Sequence, residues 1–320
     1  MSTYLVTGGA GFIGSHVCRL LVDLGEKVRV LDDLSTGKIE NLEGIGDRVE
    51  FVKGDVRDID LLREVMEGVD FVVHEAAVAS VVRSVEDPLE VEGVNVGGTL
   101  NVLLSAKDAG VKRVVFPGSA SAYGNSPVLP NTEDMAPEPL SPYAASKLAG
   151  EHYCRAFYET YGLEAVVLRY FNVFGPCQDP DSPYSGVISI FLGRLLRREE
   201  IVIFGDGEQT RDFVFVEDVA RATVSACEAE GAAGEVFNVG RGEEVTINRL
   251  AEAVMEIMGV EGKVRHGPPR PGDVRASLAD ITKAGKLLGY SPRVSLKEGL
   301  ARTAEWFRKR YGEKAGGVPR

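Results

Sequence analysis

Residues 7–14 read Thr-Gly-Gly-Ala-Gly-Phe-Ile-Gly, between an apolar run at residues 4–6 and a helical pattern that starts at Gly14. Gly9, Gly11 and Gly14 match the spacing G-x-G-x-x-G, whose glycines permit a tight turn, close approach of the backbone to a pyrophosphate and packing of a helix on a strand. The N-terminus of that helix offers oriented N–H donors to phosphate oxygens. The stretch predicts a strand–turn–helix unit that binds a dinucleotide.

Short runs rich in β-branched residues alternate with longer helical patterns on either side of this stretch. The predicted strands cover residues 4–7, 27–31, 49–53, 71–74, 113–117 and 165–170. The predicted helices cover residues 14–24, 88–109 and 142–161. Repeated strand–helix–strand units require a parallel sheet with right-handed crossovers and helices on both faces. We therefore expect an α/β protein of the doubly wound, or Rossmann, class.

The regular alternation of predicted strands and helices stops after Asn172. Three proline-containing dipeptides, at residues 175–176, 179–180 and 182–183, interrupt any regular element there. We expect one domain over residues 1–174, completed by a returning segment near 213–240, and a smaller α/β domain over 175–320. The later predicted elements are strands at residues 201–204 and 236–239 and helices at residues 217–229, 247–258 and 296–311.

The composition limits the classes of function. With 320 residues, 44% of them apolar and 26% charged, the chain can bury two cores without a disulfide or a structural metal. The net charge of -12 argues against nucleic-acid binding. A basic signal region and an apolar run of about 18 residues are both absent, so we expect a cytoplasmic protein with no membrane contact. Cys18, Cys154, Cys177 and Cys227 form no C-x-x-C pair and are expected to be reduced.

Two acidic residues stand at the ends of predicted strands. Asp32 lies 18 residues after Gly14, where a carboxylate can accept hydrogen bonds from ribose hydroxyls and repel a 2′-phosphate. Asp55 follows the third strand, where it can hold an adenine amino group or simply form a turn. Asp32 therefore indicates NAD rather than NADP.

Tyr143 and Lys147 form Y-x-x-x-K, a spacing that places both side chains on one face of a helix. The pKa of tyrosine, about 10, makes it a poor base at neutral pH. A neighbouring ammonium and the positive nicotinamide ring would favour the phenolate and lower that pKa. The pair is a candidate general base, although such spacing also occurs on ordinary amphipathic helices.

With Asn95 and Ser119 added, the sequence resembles the extended short-chain dehydrogenase/reductase family, and within it the UDP-glucose (UDP-galactose) 4-epimerase branch. The resemblance covers nearly the whole chain and continues through residues 169–176, 205–212 and 270–273. It implies NAD as cofactor, a UDP-sugar as substrate and a homodimer. The dimer would form through the helices predicted at 88–109 and 142–161, where Val91, Val94 and Leu100 serve either the interface or the core.

The resemblance also implies site residues. Catalysis is expected from Tyr143, Lys147 and Ser119, with no metal. The cofactor-binding residues implied are Gly8, Gly11, Phe12, Ile13, Gly14, Asp32, Asp33, Leu34, Ser35, Thr36, Gly37, Asp55, Val56, Ala76, Ala77, Ala79, Asn95, Ser119, Tyr143, Lys147, Tyr170, Phe171 and Val173. The substrate-binding residues implied are Asn172, Ser185, Gly186, Val187, Val202, Phe204, Arg211, Arg270, Asp273 and Ser277. The sequence departs from the family at Ala79, which removes a ribose contact, and at Pro117 and Gly118.

The residue after Ser119 discriminates among reactions in this family. The family's dehydratases and decarboxylases carry acidic residues in this stretch, whereas Ala120 supplies none. The expected reaction is inversion at C4 of a UDP-hexose through a transient 4-keto sugar. A UDP-glucuronate 4-epimerase, a dehydratase or decarboxylase and a non-catalytic dinucleotide-binding module are the alternatives. Ser277 stands where relatives confined to unsubstituted hexoses resemble one another in having a tyrosine, which favours acceptance of N-acetylated sugars as well.

Overall fold

The computed structural model describes residues 1–180, 186–269 and 274–315. Its strands are β1 (Thr3–Thr7), β2 (Lys27–Asp32), β3 (Val49–Lys53), β4 (Phe71–His74), β5 (Arg113–Ser119), β6 (Glu164–Tyr170), β7 (Asn172–Phe174), β8 (Ile201–Phe204), β9 (Thr210–Phe215), β10 (Val236–Val239), β11 (Glu244–Thr246) and β12 (Val264–Gly267). Its α-helices are α1 (Phe12–Asp23), α2 (Ile59–Val65), α3 (Val81–Glu86), α4 (Pro88–Glu92), α5 (Thr99–Ala109), α6 (Pro142–Tyr161), α7 (Val187–Leu196), α8 (Val216–Glu228), α9 (Ile247–Met258), α10 (Thr282–Leu288) and α11 (Leu296–Ala315).

Seven strands form one parallel sheet in the order β10-β6-β5-β4-β1-β2-β3. One face packs on α1, α8 and α10 and the other on α2, α5 and α6, so each face has its own apolar core. Burial on both faces explains why the strands consist of nearly continuous apolar residues. The doubly wound class predicted from the sequence is confirmed.

Strand β10 joins this sheet at its β6 edge, with Phe237 opposite Leu168. Helix α8 precedes it and packs against α1. The chain therefore returns to the first sheet after β7, β8 and β9 have been formed elsewhere. The division at residue 174 stays a prediction, whereas the return of the segment near 213–240 is visible in the pairing of β10.

The second lobe is built on two small sheets. The first, β11-β9-β7, mixes antiparallel and parallel pairing, and the second pairs β8 with β12. Helices α7, α9 and α11 pack with them around a third apolar core that includes Phe191, Phe215 and Phe307.

Several elements differ from the prediction. Strand β5 continues through Pro117 and Gly118 to Ser119, which pairs with Tyr170. A side chain on Gly118 would approach Glu151 Oε1 to 2.7 Å, so the glycine makes room for the buried Glu151–Arg169 ion pair. The predicted helix 88–109 is divided by a π-helical turn at Gly93–Gly98. The short helices α2, α3, α7 and α10 and the strands β7, β9, β11 and β12 were not predicted.

The four cysteines are free, and three of them are buried. Within the part of the chain that the structure describes, no helix has the length and apolar character needed to cross a membrane.

Candidate active site

The glycine turn after β1 forms a cradle that side chains would block. A Cβ on Gly8 would lie 2.6 Å from Ala76 N, and one on Gly14 would lie 2.3 Å from Gly8 O. Helix α1 starts at Phe12 without a side-chain cap on its N-terminus and without an acidic residue in its first turn. Its first N–H groups therefore lack intrahelical partners and face the turn. This arrangement fits a pyrophosphate, which the backbone donors and the helix dipole both favour.

Asp32 ends β2 beside this cradle and is only 6% exposed. Its carboxylate accepts hydrogen bonds from the backbone N–H groups of Ala10, at 2.9 Å, and Leu34, at 2.8 Å. Burial raises the pKa of Asp32, and the two N–H donors oppose that rise. The carboxylate thus holds the glycine turn and the β2 loop together, with lone pairs remaining for ribose hydroxyls.

The loop after β2 contains the predicted adenosine-side residues Asp33, Leu34, Ser35, Thr36 and Gly37. Leu34 has φ of 61°, a conformation uncommon for a non-glycine residue, and Asp33 accepts hydrogen bonds from Ser35. Gly37 lies against the Asp32 carboxylate, because a Cβ there would approach Oδ1 to 2.6 Å. The loop therefore folds directly over Asp32.

The structure gives Asp55 and Val56 partners of their own. Asp55 forms an ion pair with Arg57, which lowers the pKa of Asp55, and it also accepts the backbone N–H of Arg57. Val56 is buried in the core and lies against Gly98. The Val56 side chain lies in the core between α2 and α5, and the adenine contact of Val56 stays a prediction. The Asp55 contact with adenine would have to share the carboxylate with Arg57.

Helix α6 carries the candidate base. Ser141 caps its N-terminus by accepting a hydrogen bond from Ala144 N, and Pro142 occupies its first position, so the helix begins one residue before Tyr143. Lys147 follows one turn later and is only 5% exposed, with Nζ 5.0 Å from the centre of the Phe116 ring. Both side chains therefore lie at the same end of the sheet as Ser119.

The Ser119 side chain lies near enough to the Tyr143 phenol to lower the pKa of that phenol. Ser121 Oγ donates to Ser119 Oγ at 2.8 Å, and the N–H of Ser121 lies 3.2 Å from the same oxygen. Two hydroxyl groups are thus aligned next to the phenol. Ala120, between these two serines, places no acid or base in the line.

Burial dominates the protonation of this pair. Burial raises the pKa of Tyr143, the Ser119 hydrogen bond lowers it, and the charge of Glu75 raises it. Burial lowers the pKa of Lys147 to about 8, against the pull of Glu75 and Glu151. In the protein alone the phenol is therefore favoured, and the expected phenolate depends on additional positive charge near the ring.

Asn95 lies in the π-helical turn and is 2% exposed. Its side chain accepts a hydrogen bond from Val78 N at 2.8 Å and donates to Ser146 Oγ at 3.0 Å. Asn95 therefore connects the segment after β4 to the helix that carries Tyr143 and Lys147. That segment includes the half-buried Ala76 and Ala77, whereas Ala79 is exposed.

The three predicted cofactor residues at the end of β6 and after it, Tyr170, Phe171 and Val173, have different surroundings. The Tyr170 hydroxyl contacts Glu75 and Thr223 inside the protein. The Phe171 side chain is buried with Tyr123 in a separate apolar cluster, and its role as a cofactor contact stays a prediction. Val173 is half-buried in β7.

The described substrate residues lie in the second lobe and at its junction with the first. Asn172 is exposed at the start of β7, and Gly186 and Val187 form the N-terminus of α7. Val202 and Phe204 alternate with buried residues on β8 and flank Gly267. Arg211 lies on β9, and Ser277 is half-buried in the segment whose Arg275 O accepts from Thr210 N. Ser185, Arg270 and Asp273 lie outside the described residues.

Sequence reasoning missed a set of polar residues at the ends of β1 and β4. Thr7 Oγ1 and His74 Nδ1 are 2.7 Å apart, and His74 Nε2 lies 3.0 Å from Thr99 Oγ1, which donates to Asn95 O. Because the Thr99 hydroxyl donates its hydrogen to Asn95 O, it accepts from His74 Nε2. His74 Nδ1 then accepts from the Thr7 hydroxyl. Glu75 was also missed. Their positions at the carboxyl ends of predicted parallel strands could have indicated them, because ligands bind at that edge of such sheets.

The fold and the site together define a class of protein. A sequence model of the NAD dependent epimerase/dehydratase family matches residues 4–240, and the chain belongs to this family. It is similar to the UDP-glucose 4-epimerase of Mycolicibacterium smegmatis, with 45% identity across 96% of this chain and 98% of the relative.

Two solved structures extend the comparison. UDP-glucose 4-epimerase from Thermotoga maritima, with UDP-glucose, has a TM-score of 0.92 and 44% identity over 96% of this chain and 99% of that one. UDP-N-acetylglucosamine 4-epimerase from Methanobrevibacter ruminantium M1, in complex with UDP-N-acetylmuramic acid, has a TM-score of 0.93 and 40% identity over 97% and 99%.

Proposed function

We propose that the protein is a UDP-glucose 4-epimerase that inverts C4 of a UDP-hexose, with NAD as its cofactor. The observation that carries this proposal is the line of Ser121, Ser119 and Tyr143: Ser121 donates to Ser119, Ser119 lies near the Tyr143 phenol, and position 120 carries no acidic residue. Such a line can move a proton to and from one sugar oxygen. An elimination or decarboxylation would need an additional acid or base beside it.

The chain's own residues fit the cofactor. The glycine cradle and the uncapped N-terminus of α1 would hold the pyrophosphate, Asp32 the adenosine ribose, and Tyr143 with Lys147 the nicotinamide side. When bound, NAD supplies a hydride acceptor and donor at the sugar carbon.

The protein's part in the reaction is proton transfer and positioning. Tyr143 takes the proton of the C4 hydroxyl, while Ser119 hydrogen bonds to the same oxygen and passes the proton along. Lys147, held over Phe116, keeps a positive charge near the phenol. The sugar passes through a transient 4-keto form, turns its other face to the site and takes the proton back from Tyr143.

The second lobe supplies the anchor that lets the sugar turn. Arg211 offers a guanidinium group for the diphosphate, and Phe204 offers an aromatic face for the pyrimidine. Arg270 and Asp273 are proposed to act with them on the grounds of resemblance alone. Because the nucleotide would be held more firmly than the hexose, the ring can rotate without leaving the site.

A product assay without added cofactor tests the proposal. Purified protein is incubated with UDP-glucose, UDP-galactose, UDP-glucuronate and the N-acetylated sugars, and the products are separated. Interconversion of UDP-glucose and UDP-galactose is expected. Conversion of UDP-glucuronate alone would instead identify a glucuronate epimerase, and release of water or carbon dioxide would identify a dehydratase or a decarboxylase.

We propose a homodimer formed through α3, α4 and α6. Val91 is buried, whereas Val94 and Leu100 are partly buried against the core. The exposed large hydrophobic side chains on these helices are Val81, Val82, Val85, Leu89, Tyr153 and Tyr161. Light scattering on Leu89→Asp should show monomers, whereas Leu24→Asp, at an exposed position on another face, should not change the mass. A cytoplasmic location stays a prediction from the sequence.

A further inference from the structure

Glu75 follows β4 at the carboxyl edge of the first sheet, beside the candidate active site. Its N–H donates to Thr7 O at 3.0 Å, and a Cβ on Gly8 would lie 2.9 Å from its carbonyl carbon. Its partly buried side chain reaches Tyr170, the residue that pairs with Ser119 in the sheet. A carboxyl group thus stands between the glycine cradle and the strand that carries Ser119.

Three short contacts lead from this carboxyl group into α8. Glu75 Oε1 is 2.9 Å from the Tyr170 hydroxyl, which is 2.7 Å from Thr223 Oγ1, which is 2.9 Å from Val219 O. Each contact joins two oxygens and therefore needs one hydrogen. The Tyr170 and Thr223 hydroxyls supply two hydrogens, and the Val219 carbonyl supplies none.

Of the groups in this line, only Glu75 can supply the third hydrogen, as a carboxylic acid. If Glu75 were ionised, two oxygens in this line would face each other without a hydrogen between them. With Glu75 protonated, Glu75 donates to Tyr170, Tyr170 donates to Thr223, and Thr223 donates to Val219 O. The geometry therefore fits the neutral carboxylic acid.

The surroundings agree with a neutral Glu75. Burial raises the pKa of Glu75 to about 7, whereas the Tyr170 hydrogen bond and the charge of Lys147 lower it. Burial also raises the pKa values of the Cys18 and Cys227 thiols on α1 and α8, which stay uncharged. The titratable groups that face Glu75 or its hydrogen-bond line are His74, Tyr143, Lys147, Tyr170, Cys18 and Cys227.

We propose that Glu75 is a positioning residue that keeps its proton through the hydrogen-bond line to Val219 and thereby keeps a negative charge away from Tyr143 and Lys147. An ionised Glu75 would oppose formation of the Tyr143 phenolate and would compete with it for Lys147. The role of Glu75 in turnover rests on the proposed function, whereas its protonation state does not.

Infrared difference spectroscopy tests the protonation state directly. The spectrum of the purified protein, with the cofactor it carries, is compared with that of Glu75→Gln across pH 5 to 9. A carboxylic-acid carbonyl band missing from the variant, and titrating near pH 7, is expected. A Glu75 band that is already absent at pH 6 would overturn the proposal.

Thr223 provides a matched pair of variants for the same measurement. Thr223→Val removes the hydroxyl, so Tyr170 is free to donate to Glu75 and to stabilise its carboxylate, and the titration midpoint should fall by roughly one pH unit. Thr223→Ser keeps the hydroxyl and should keep the midpoint. Equal midpoints in both variants would show that the hydrogen-bond line does not hold the proton.

The pH dependence of turnover tests the influence on Tyr143. Glu75→Gln cannot ionise, and its amide can still donate to Tyr170. The ratio of its kcat/KM to that of the wild type should therefore rise by roughly threefold or more through pH 7, corresponding to half a pKa unit. A ratio that does not vary with pH would leave Glu75 with a structural role only. If neither protein epimerised any nucleotide sugar, the proposed function would fail while the infrared result would stand.

Discussion

Asn95 Nδ2 donates a 3.0 Å hydrogen bond to Ser146 Oγ, and this bond joins the π-helical turn to the catalytic helix. Ser146 Oγ in turn donates to Tyr143 O at 2.8 Å. Asn95 also holds the main chain at Val78, so one amide sets the distance between the segment after β4 and Tyr143. A π-helical turn at such a position is consistent with the frequent use of these turns at functional sites.

Tyr143→Phe should lower turnover by at least ~100-fold, because a positioned acid–base group is lost. Folding and NAD content should be retained, as shown by circular dichroism and by the cofactor released on denaturation. Tyr161→Phe, which changes an exposed tyrosine at the end of the same helix, serves as the control. A rate for Tyr143→Phe close to the wild type would remove this residue from the mechanism.

Lys147→Ala should move the acid limb of the kcat/KM profile to higher pH as well as reduce the rate. Lys147 lies one helical turn after Tyr143 on α6, and removal of its positive charge should make the phenolate harder to form. The measurement is the pH profile of the variant between pH 6 and 10. A large loss of rate with an unchanged limb would place the lysine in cofactor or substrate binding only.

The purified protein should carry NAD(H) and bind NADP at least ~10-fold more weakly, because the Asp32 carboxylate repels a 2′-phosphate. Titration calorimetry on the cofactor-free protein measures both affinities. Asp32→Asn should reduce the difference between the NAD and NADP affinities. It should also lower the free energy of unfolding, because the carboxylate accepts two backbone hydrogen bonds. Asp47→Asn, at an exposed position, should change neither quantity. Equal affinities in the wild type would contradict the assignment.

Ser277→Tyr should suppress turnover of UDP-N-acetylglucosamine more than turnover of UDP-glucose. A small side chain leaves room for the acetamido group, whereas a clash penalises the larger sugar heavily. Both rates are measured for the wild type and the variant. If the wild type does not turn over the N-acetylated sugar, or if the ratio is the same in the variant, position 277 does not limit the pocket.

Acid should destabilise the fold through His74. Burial lowers the pKa of His74 to about 3, and the residue is 1% exposed. The unfolded chain takes up a proton below about pH 6.5 and the folded chain does not, so stability is lost as the pH falls. Between pH 7 and 5 this loss is about 2 kcal/mol. Urea unfolding of His74→Gln should show a correspondingly smaller pH dependence than the wild type.

The sequence was sufficient to predict the parallel sheet and much of the candidate site. Short runs rich in β-branched and aromatic residues predicted the bounds of β3, β4 and β10 to the residue, and the i to i+4 spacing placed Tyr143 and Lys147 on one helix. The predicted strand 113–117 stops at Pro117, two residues before the end of β5. The strand continues because Gly118 makes space for Glu151 and Arg169, which only tertiary packing reveals.

The polar network behind the site was beyond sequence reasoning for a similar reason. Glu75 follows β4, Tyr170 lies on β6 and Thr223 on α8, and of the three only Tyr170 was among the predicted site residues. Asp55, whose position after β3 predicts a ligand contact, also forms an ion pair with Arg57, two residues later, which the sequence analysis did not anticipate. Contacts between distant elements, and ion pairs that a near neighbour forms with a predicted ligand residue, can be recognised only in a three-dimensional structure.

Strand β10 belongs to the first sheet but comes after β7, β8 and β9 in the chain. This order has consequences for folding during translation and for proteolytic cleavage. A ribosome must release residues up to Val239 before Val236–Val239 can cover the β6 edge, so the N-terminal lobe is incomplete while the second lobe's β7, β8 and β9 are already synthesised. A fragment ending at residue 174 would leave both β10 and α8 behind and expose the apolar face that α8 covers. A single cleavage therefore cannot produce two complete lobes, and an engineered variant should keep both lobes in one chain.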